Sequence, residues 1–432
     1  MKGREWGPLR WIVVGAVLLW SAVGPLQIVF TQLVTPHRTY DFFVYFHAAQ
    51  AVARGASPYA PPPSCCFNQA AMSGYTYPPL LAILLVPLTA LSADDAARIW
   101  LVFVCFSLVT MVVVARRAAP GRISAEAMAW LTVLILHSGG VLGALREAQA
   151  TVPVLALVAL FAWSYVHGRR SVVGGALLAV AAAIKVWPLL LVPALLRLAH
   201  RERVRSAIGF AGAGVAALAL MIGISGQLVP YITHVLPSFS GGVVSADDLS
   251  IPGSALRSFA TLGARPNPVL MLFFSGLEVV ALGITWYLCR GVGGSAGRAI
   301  LAAALMAIIP IVQGVTWNHH VIVDVIALML VLPLLRRGSL CWSLAIAGCA
   351  VATVWQQQLG DWLTGHGWLP PHNSAQLLVF LVVTNIDLIG MFSLWFAIVL
   401  LARHMREAAP GGTELIGRRS LPLERVLRPG SV

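Results

Sequence analysis

Residues 39–59 read TYDFFVYFHAAQAVARGASPY. They follow an apolar run at 11–33, long enough to cross a bilayer, which takes about 20 residues. They open on a lone acid, Asp41, and Phe42, Tyr45, Phe46, Ala49 and Val52 then recur at helical intervals. The spacing predicts an amphipathic helix lying on the membrane surface just after the first span. Asp41, Tyr45, Ala48, Gly55, Pro58 and Tyr59 form the pattern D-x3-Y-x2-A-x6-G-x2-P-Y. Two roles are open for Asp41: a cap or first-turn acid that stabilises the helix, or a general base where a lipid head group meets water.

The whole chain supports a membrane setting for this stretch. Its 432 residues are 59% hydrophobic and 10% charged, whereas soluble domains carry about 25% charged residues. The apolar runs are continuous rather than alternating, which excludes a β-barrel and predicts an all-α polytopic membrane protein. The net charge of +13 comes from arginines that flank apolar runs. That is the positive-inside pattern, and no nucleic-acid-binding module accompanies it. Only Lys2 and Lys185 among the 29 basic residues are lysines. Cys105, Cys289, Cys341 and Cys349 lie in apolar runs and read as packing residues. Cys65 and Cys66 are adjacent and suggest no disulfide framework. The N-terminus starts like a signal peptide, but its apolar run is too long and no small-x-small site follows, so an uncleaved first helix is expected.

Apolar segments fall at about 11–33, 78–91, 98–115, 126–145, 149–167, 171–184, 186–199, 206–226, 267–289, 299–315, 319–335, 340–356 and 376–402. Basic loops at Arg116/Arg117/Arg122, Arg169/Arg170, Arg197–Arg205, Arg290/Arg298 and Arg336/Arg337 should be cytoplasmic, with the tail from Arg403. Loops 34–77, 227–266 and 357–375 hold four arginines between them and should be extracytoplasmic. Segment 78–91 is short and starts at Pro78-Pro79, so it should dip into the membrane without crossing. Basic loops flank 171–199 on both sides, so the two runs there should form a hairpin that turns at Lys185-Val186-Trp187-Pro188, with Pro188 breaking the helix. The expectation is about twelve passes, a membrane domain over 1–402 and a disordered tail over 403–432.

Polar groups at membrane depth are costly and therefore candidates for function. Lys185 either snorkels to the surface or meets a phosphate. Trp317-Asn318-His319-His320 opens a helix at its outer end. His320 and Asp324 are four residues apart, so the acid could orient the ring and keep it charged. A Zn or Mn site is the rival reading, weakened by the absence of a third histidine nearby. Glu147 and Gln149 with Arg146, and Asp247/Asp248 with Ser250 and Arg257, are weaker candidates in outer loops. Glu278 and Asp387 lie in apolar helices without an evident partner. Tyr75-Thr76-Tyr77-Pro78-Pro79 reads as a rigid start to the dip or as interfacial aromatic anchoring. The chain has no P-loop and no dinucleotide, G-x-S-x-G or H-E-x-x-H motif.

With Tyr75–Leu80 (YTYPPL), Lys185–Pro188 (KVWP) and Trp317–His320 (WNHH), the opening stretch resembles glycosyltransferase family 87, which includes actinobacterial α-(1→2)-mannosyltransferases that use polyprenol-phosphate mannose. The resemblance runs in order through most of 10–400. It implies a GT-C fold in a bacterial plasma membrane, with the site facing the periplasm or cell exterior. It also implies inverting transfer of a sugar, most commonly mannose, from a polyprenyl-phosphate donor to a glycolipid or glycan acceptor. Asp41 would be the general base. Lys185, His319 and His320 would hold the donor phosphate, while Tyr45, Tyr77, Gln149, Asp248 and Arg257 line the site or touch the acceptor. No metal or other cofactor is implied. Two departures stand out. Ala148-Gln149-Ala150-Thr151 replaces a frequent Gly-Gln-x-Asn, and Asp248-Leu249-Ser250 replaces an Asn-containing motif; both bear on the acceptor. The alternative from a different class is a transporter or flippase of a lipid-linked sugar; a non-catalytic membrane scaffold is a weaker one.

Overall fold

A computed structural model describes residues 8–36, 40–59, 74–239, 248–261, 268–353 and 385–408, and within 354–384 only 365, 366, 379, 382 and 383. Every regular element among the described residues is helical. In chain order the main helices are α1 (Pro8–Val34), α2 (Tyr40–Ala53), α3 (Pro79–Leu85), α4 (Ala93–Ala118), α5 (Ala125–His137), α6 (Gly139–Glu147), α7 (Thr151–His167), α8 (Ser171–Ile184), α9 (His200–Leu220), α10 (Ile251–Thr261), α11 (Pro268–Cys289), α12 (Gly294–Val312), α13 (Ile322–Val331), α14 (Leu340–Ala352) and α15 (Ile386–Glu407). A 3-10 helix, Val86–Ala90, extends α3, and another, Trp187–Arg197, follows α8.

The exterior is apolar. Leu19 is 76% exposed, Phe106 68% and Val279 70%, as expected of helices that face lipid. At the centre, α12 and α13 are buried over nearly their whole length, and both are apolar on all faces, the mark of a core helix. Small residues allow close helix approach: Gly175 and Gly209 bring α8 against α9, and Gly348 and Gly390 bring α14 against α15.

Among the described residues, five helices, including α1, α4, α12 and α15, have the length and composition of a membrane span, or six if the bent α5–α6 pair counts as one. The sequence-based expectation was about twelve passes. Among the described residues α7, α8, α14 and the 3-10 helix after α8 are shorter apolar helices of 10–17 residues. Segment 78–91 becomes α3 and its 3-10 extension, 12 residues and about 20 Å at the α and 3-10 rises per residue, too short to cross.

Side-chain contacts show how the helices run. Along α1, Arg10 pairs with Glu126, Ser21 meets His137 at 3.0 Å and Gln32 donates to the Arg146 carbonyl at 2.9 Å, so α1 and α5–α6 run side by side in the same direction. Arg98, early in α4, donates to the Leu33 carbonyl at 2.9 Å, next to the end of α1. At the other end of α4, His167 reaches the Arg117 carbonyl at 2.9 Å. Arg298 bonds the Val166 carbonyl at 3.0 Å and Glu202 at 3.2 Å, and Arg197 bonds the Val292 carbonyl at 2.7 Å. The arginine-rich loops around 117, 167–170, 197–203 and 290–298 are thus tied together at one end of the bundle. The shorter helices α7 and α8 also run from end to end: their other termini, Thr151 and Lys185, meet at 2.6 Å. The 3-10 helix after Lys185 then returns to Arg197 at the arginine end, which is the hairpin expected from the charge pattern.

Two local expectations change. Helix α2 forms where the spacing places it, but its apolar face packs against protein. Phe42, Tyr45, Phe46, Ala48, Ala49 and Val52 are buried, packed towards α3 and α4, because the helix is apolar round most of its circumference and so partitions into the protein. Helix α15 continues to Glu407, five residues into the expected disordered tail, where Arg403 pairs with Glu407 at 2.9 Å. Residues 409–432, Cys65, Cys66 and most of the 357–375 loop lie outside the described residues.

Candidate active site

Tyr77 is the centre of the site, and its own turn holds it in place. Pro78 and Pro79 have no N–H to pair. The Tyr75 hydroxyl takes over, donating to the Pro78 carbonyl at 2.7 Å and accepting from the Ala82 N–H at 3.0 Å. Tyr59, the last residue of the opening pattern, donates to the Tyr77 carbonyl at 3.0 Å. The aromatic cluster at 75–77 therefore positions Tyr77 rather than anchoring a membrane interface.

Four chain segments meet around the Tyr77 hydroxyl. Gln149 Oε1 accepts from Tyr45 at 3.0 Å and Tyr77 at 3.2 Å, and the two phenol oxygens are 3.0 Å apart. Lys185 Nζ donates to Thr151 Oγ1 at 2.6 Å and to Tyr77 OH at 3.4 Å, with its charge 5.0 Å from the Tyr77 ring centre. Lys185 is the extended residue at which α8 stops. It is not snorkelling.

Asp41 lies in the first turn of α2, beyond the end of the first span. Its carboxyl group is hydrogen-bonded to Glu147 and feels the Lys185 charge. Burial pushes its pKa up to about 6, while Lys185 and the Glu147 bond pull it down. Burial, then neighbouring charge, holds the Tyr45 and Tyr77 phenols above the ordinary tyrosine range, so both remain donors. Glu147 was a weak sequence candidate, and only the fold brings it onto Asp41. The residue between it and Gln149 makes this possible: Ala148 has φ 51° and ψ 54°, a left-handed conformation uncommon for a residue with a Cβ. It aims Glu147 at Asp41 and Gln149 at the tyrosines. The resemblance noted in the sequence puts Gly at this position, the residue suited to that conformation. Thr151, where that resemblance puts Asn, receives Lys185. This departure therefore falls within the Asp41–Lys185 network.

A second cluster faces this one. His319 and His320 are buried, with ring centres 4.7 Å apart. The Trp317 N–H points at His320 Nδ1, 3.3 Å away, and the Gln313 amide lies 3.1 Å from it. A backbone N–H can only donate, so Nδ1 is an acceptor and the ring proton sits on Nε2. The sequence-based expectation of a charged His320 held by Asp324 is not met: neither Asp324 oxygen has a hydrogen-bond partner among the described residues. His320 and Asp324 belong to different local structures, a 3-10 turn and α13, so four-residue spacing does not align them. Asp248 is fully buried and accepts from the Thr316 N–H at 2.9 Å, the Ser250 N–H at 3.1 Å and the Ser250 hydroxyl at 2.7 Å. It pins the segment before His319 and does not line the cavity. Arg257 lies on α10, its side chain outside the described residues. Among the described residues no three His, Cys, Asp or Glu side chains are grouped to hold a metal ion.

Between the clusters is a cavity of about 600 Å³ lined by Tyr77, Lys185, Trp187, Leu190, Glu278 and His320, among others. The Trp187 indole N–H and His320 Nε2 have no partner among the described residues. An ammonium and two side chains with buried, unpartnered ring nitrogens thus border a mainly apolar chamber. Asp41 is not in its wall but is coupled to Lys185, which is. Glu278, for which the sequence suggested no partner, is a further lining acid.

The sequence profile of glycosyltransferase family 87 matches residues 75–314, more than half of the chain. The chain belongs to glycosyltransferase family 87. The match includes Tyr77, Glu147, Gln149 and Lys185 and stops short of Asp41 on one side and of His319 and His320 on the other. This membrane glycosyltransferase gives no match in a comparison with curated proteins. Neither the family nor the site favours the transport reading.

Proposed function

We propose that this glycosyltransferase moves a sugar, mannose in the first instance, from a polyprenyl-phosphate donor to a hydroxyl of a glycolipid or glycan acceptor, with inversion, in a GT-C-type membrane domain with a pass count near twelve. The observation that carries this reading is the cavity at Lys185. Its walls are mainly apolar, as a prenyl chain requires, and Lys185 gives it a cation, as a phosphate requires, with Glu278 the one acid in the lining. The site lies at the end of the bundle opposite the arginine loops, and the positive-inside rule assigns that end to the extracytoplasmic face.

Asp41 takes the proton of the acceptor hydroxyl while that oxygen bonds to the anomeric carbon. The bond from that carbon to the phosphate oxygen breaks, and its electrons leave with the prenyl phosphate. Lys185 meets the growing negative charge, and the neutral Nε2–H of His320 and the Trp187 indole N–H donate to it. His319 packs against the His320 ring from behind the lining. One displacement with one base inverts the sugar carbon. A carboxylate with a pKa of about 6 is mostly ionised at neutral pH and basic enough to accept a proton.

Asp41→Asn tests the assignment in a membrane assay with polyprenol-phosphate mannose. The expected loss is on the order of 10²–10⁴-fold, with unchanged melting behaviour. Activity within a few-fold of wild type would remove Asp41 from the mechanism.

A further inference from the structure

At the arginine end, away from the site, a second cavity of about 880 Å³ lies between α5, α13 and α14. Its walls are Trp130 and Leu134 on one side and Trp342 and Ile346 on the other, with Leu328 and Leu332 between them. Trp130 is 47% exposed, so the groove opens to the outside of the bundle. Arg122 and Arg337 stand at its mouth, both exposed. The acid nearby, Glu126, is paired with Arg10 and does not offset them. Along α5 the groove runs from Ser124 to His137, about 20 Å at 1.5 Å per residue. That exceeds half of a hydrocarbon core about 30 Å thick, so the groove is about as deep as one leaflet.

We propose that this groove binds an anionic glycerophospholipid, with its phosphate between Arg122 and Arg337 and its acyl chains along Trp130, Leu134, Trp342 and Ile346. Charge and shape select this occupant. A soluble anion would leave the apolar walls uncovered, and a zwitterionic lipid would bring a cationic group to two arginines. Basic pockets beside membrane-embedded helices are suited to acidic head groups. The site is independent of the sugar-transfer reading.

The test uses purified full-length protein, stripped of lipid in detergent and titrated with phosphatidylglycerol or phosphatidylcholine under native mass spectrometry. Phosphatidylglycerol should bind on the order of tenfold more tightly. The Arg122→Gln/Arg337→Gln double variant should lose that preference. Leu134→Trp, which fills the groove, should weaken binding of both lipids. A second measurement needs no arginine variant: brominated phosphatidylglycerol should quench wild-type tryptophan fluorescence more than brominated phosphatidylcholine, and the difference should shrink in Trp130→Phe. Equal binding of the two lipids by wild type, or an unchanged preference in the double variant, would overturn the proposal. So would occupation of the groove by a second copy, seen as a lipid-independent dimer that Leu134→Trp dissociates.

Discussion

At the arginine end of the bundle, basic side chains reach backbone carbonyls: Arg298 that of Val166, with Glu202 besides, Arg197 that of Val292 and His167 that of Arg117. At the opposite end, the one lysine outside the N-terminus ends on side chains, Thr151 and Tyr77, within reach of Asp41. A carbonyl at a helix C-terminus has a fixed direction and no proton to exchange, so the first kind of contact fastens helices to one another. A phenol, a hydroxyl and a carboxylate can each rearrange around an incoming anion, so the second kind is suited to chemistry. The net charge of +13 therefore reflects membrane orientation and helix fastening, whereas reactivity is concentrated where charge is sparse.

Replacing Lys185 by Met should break the comparison most visibly. It removes the only full positive charge in the wall of the site cavity among the described residues, and sugar transfer should fall on the order of 10³-fold in kcat, with helix content and melting temperature little changed. A large loss of melting temperature with a small loss of kcat would make Lys185 a fastening residue like the arginines. His320→Ala comes next. It removes one neutral donor, so the loss should be on the order of 10²-fold. Because Nδ1 is occupied by the Trp317 N–H, the wild-type rate should show no limb from His320 gaining a second proton in place of that contact. A histidine-like limb present in wild type and lost in His320→Gln would show that the ring works as a cation.

Much of this architecture was legible in the sequence. Arginine spacing predicted which loops lie together, and Arg197, Glu202 and Arg298 now tie those loops to one another. The break at Lys185 was predicted by its neighbours Trp187 and Pro188. The rest was hidden for identifiable reasons. Periodicity reports which residues share a face but not whether that face meets lipid or protein, so α2 was expected to turn its apolar face to the membrane and packs that face against protein. Glu147 looked like a solvated loop acid, because nothing local announces that Ala148 adopts a left-handed backbone that turns it inward. His320 and Asp324 have helical spacing, but the helix starts only after His320, and spacing cannot reveal a 3-10 turn.

Glu147→Ala is a finer probe of the site end. Asp41 carries a pKa raised to about 6 and acts only when ionised, so activity should rise with pH through a midpoint near 6; Lys185, whose pKa burial lowers to about 7 against the pull of Asp41, must keep its proton, so activity should fall again above that value. A Glu147 carboxyl that donates its proton to Asp41 favours the ionised form of Asp41. Without it the midpoint of the rising limb should move to higher pH, while the maximum rate falls by less than tenfold. A residue that merely supported the fold would lower the maximum and leave that midpoint in place.

Arg298→Gln should have the smallest effect on catalysis and its main effect on stability. Its guanidinium joins Val166 of α7 to Glu202 of α9, with both side chains partly solvent-exposed, 21% and 28%. Solvent screens such a pair, so the destabilisation should be about 1 kcal/mol or less, read as a fall in melting temperature in detergent. The rate should stay within about twofold of wild type, because Val166 and Glu202 both lie at the end of the bundle remote from Lys185. If kcat fell as far as in Lys185→Met, the two ends would be energetically coupled along α7, whose termini carry Thr151 and His167. The division between a fastening end and a reacting end would then fail, and α7 would have to be treated as a rigid strut that sets the position of Lys185.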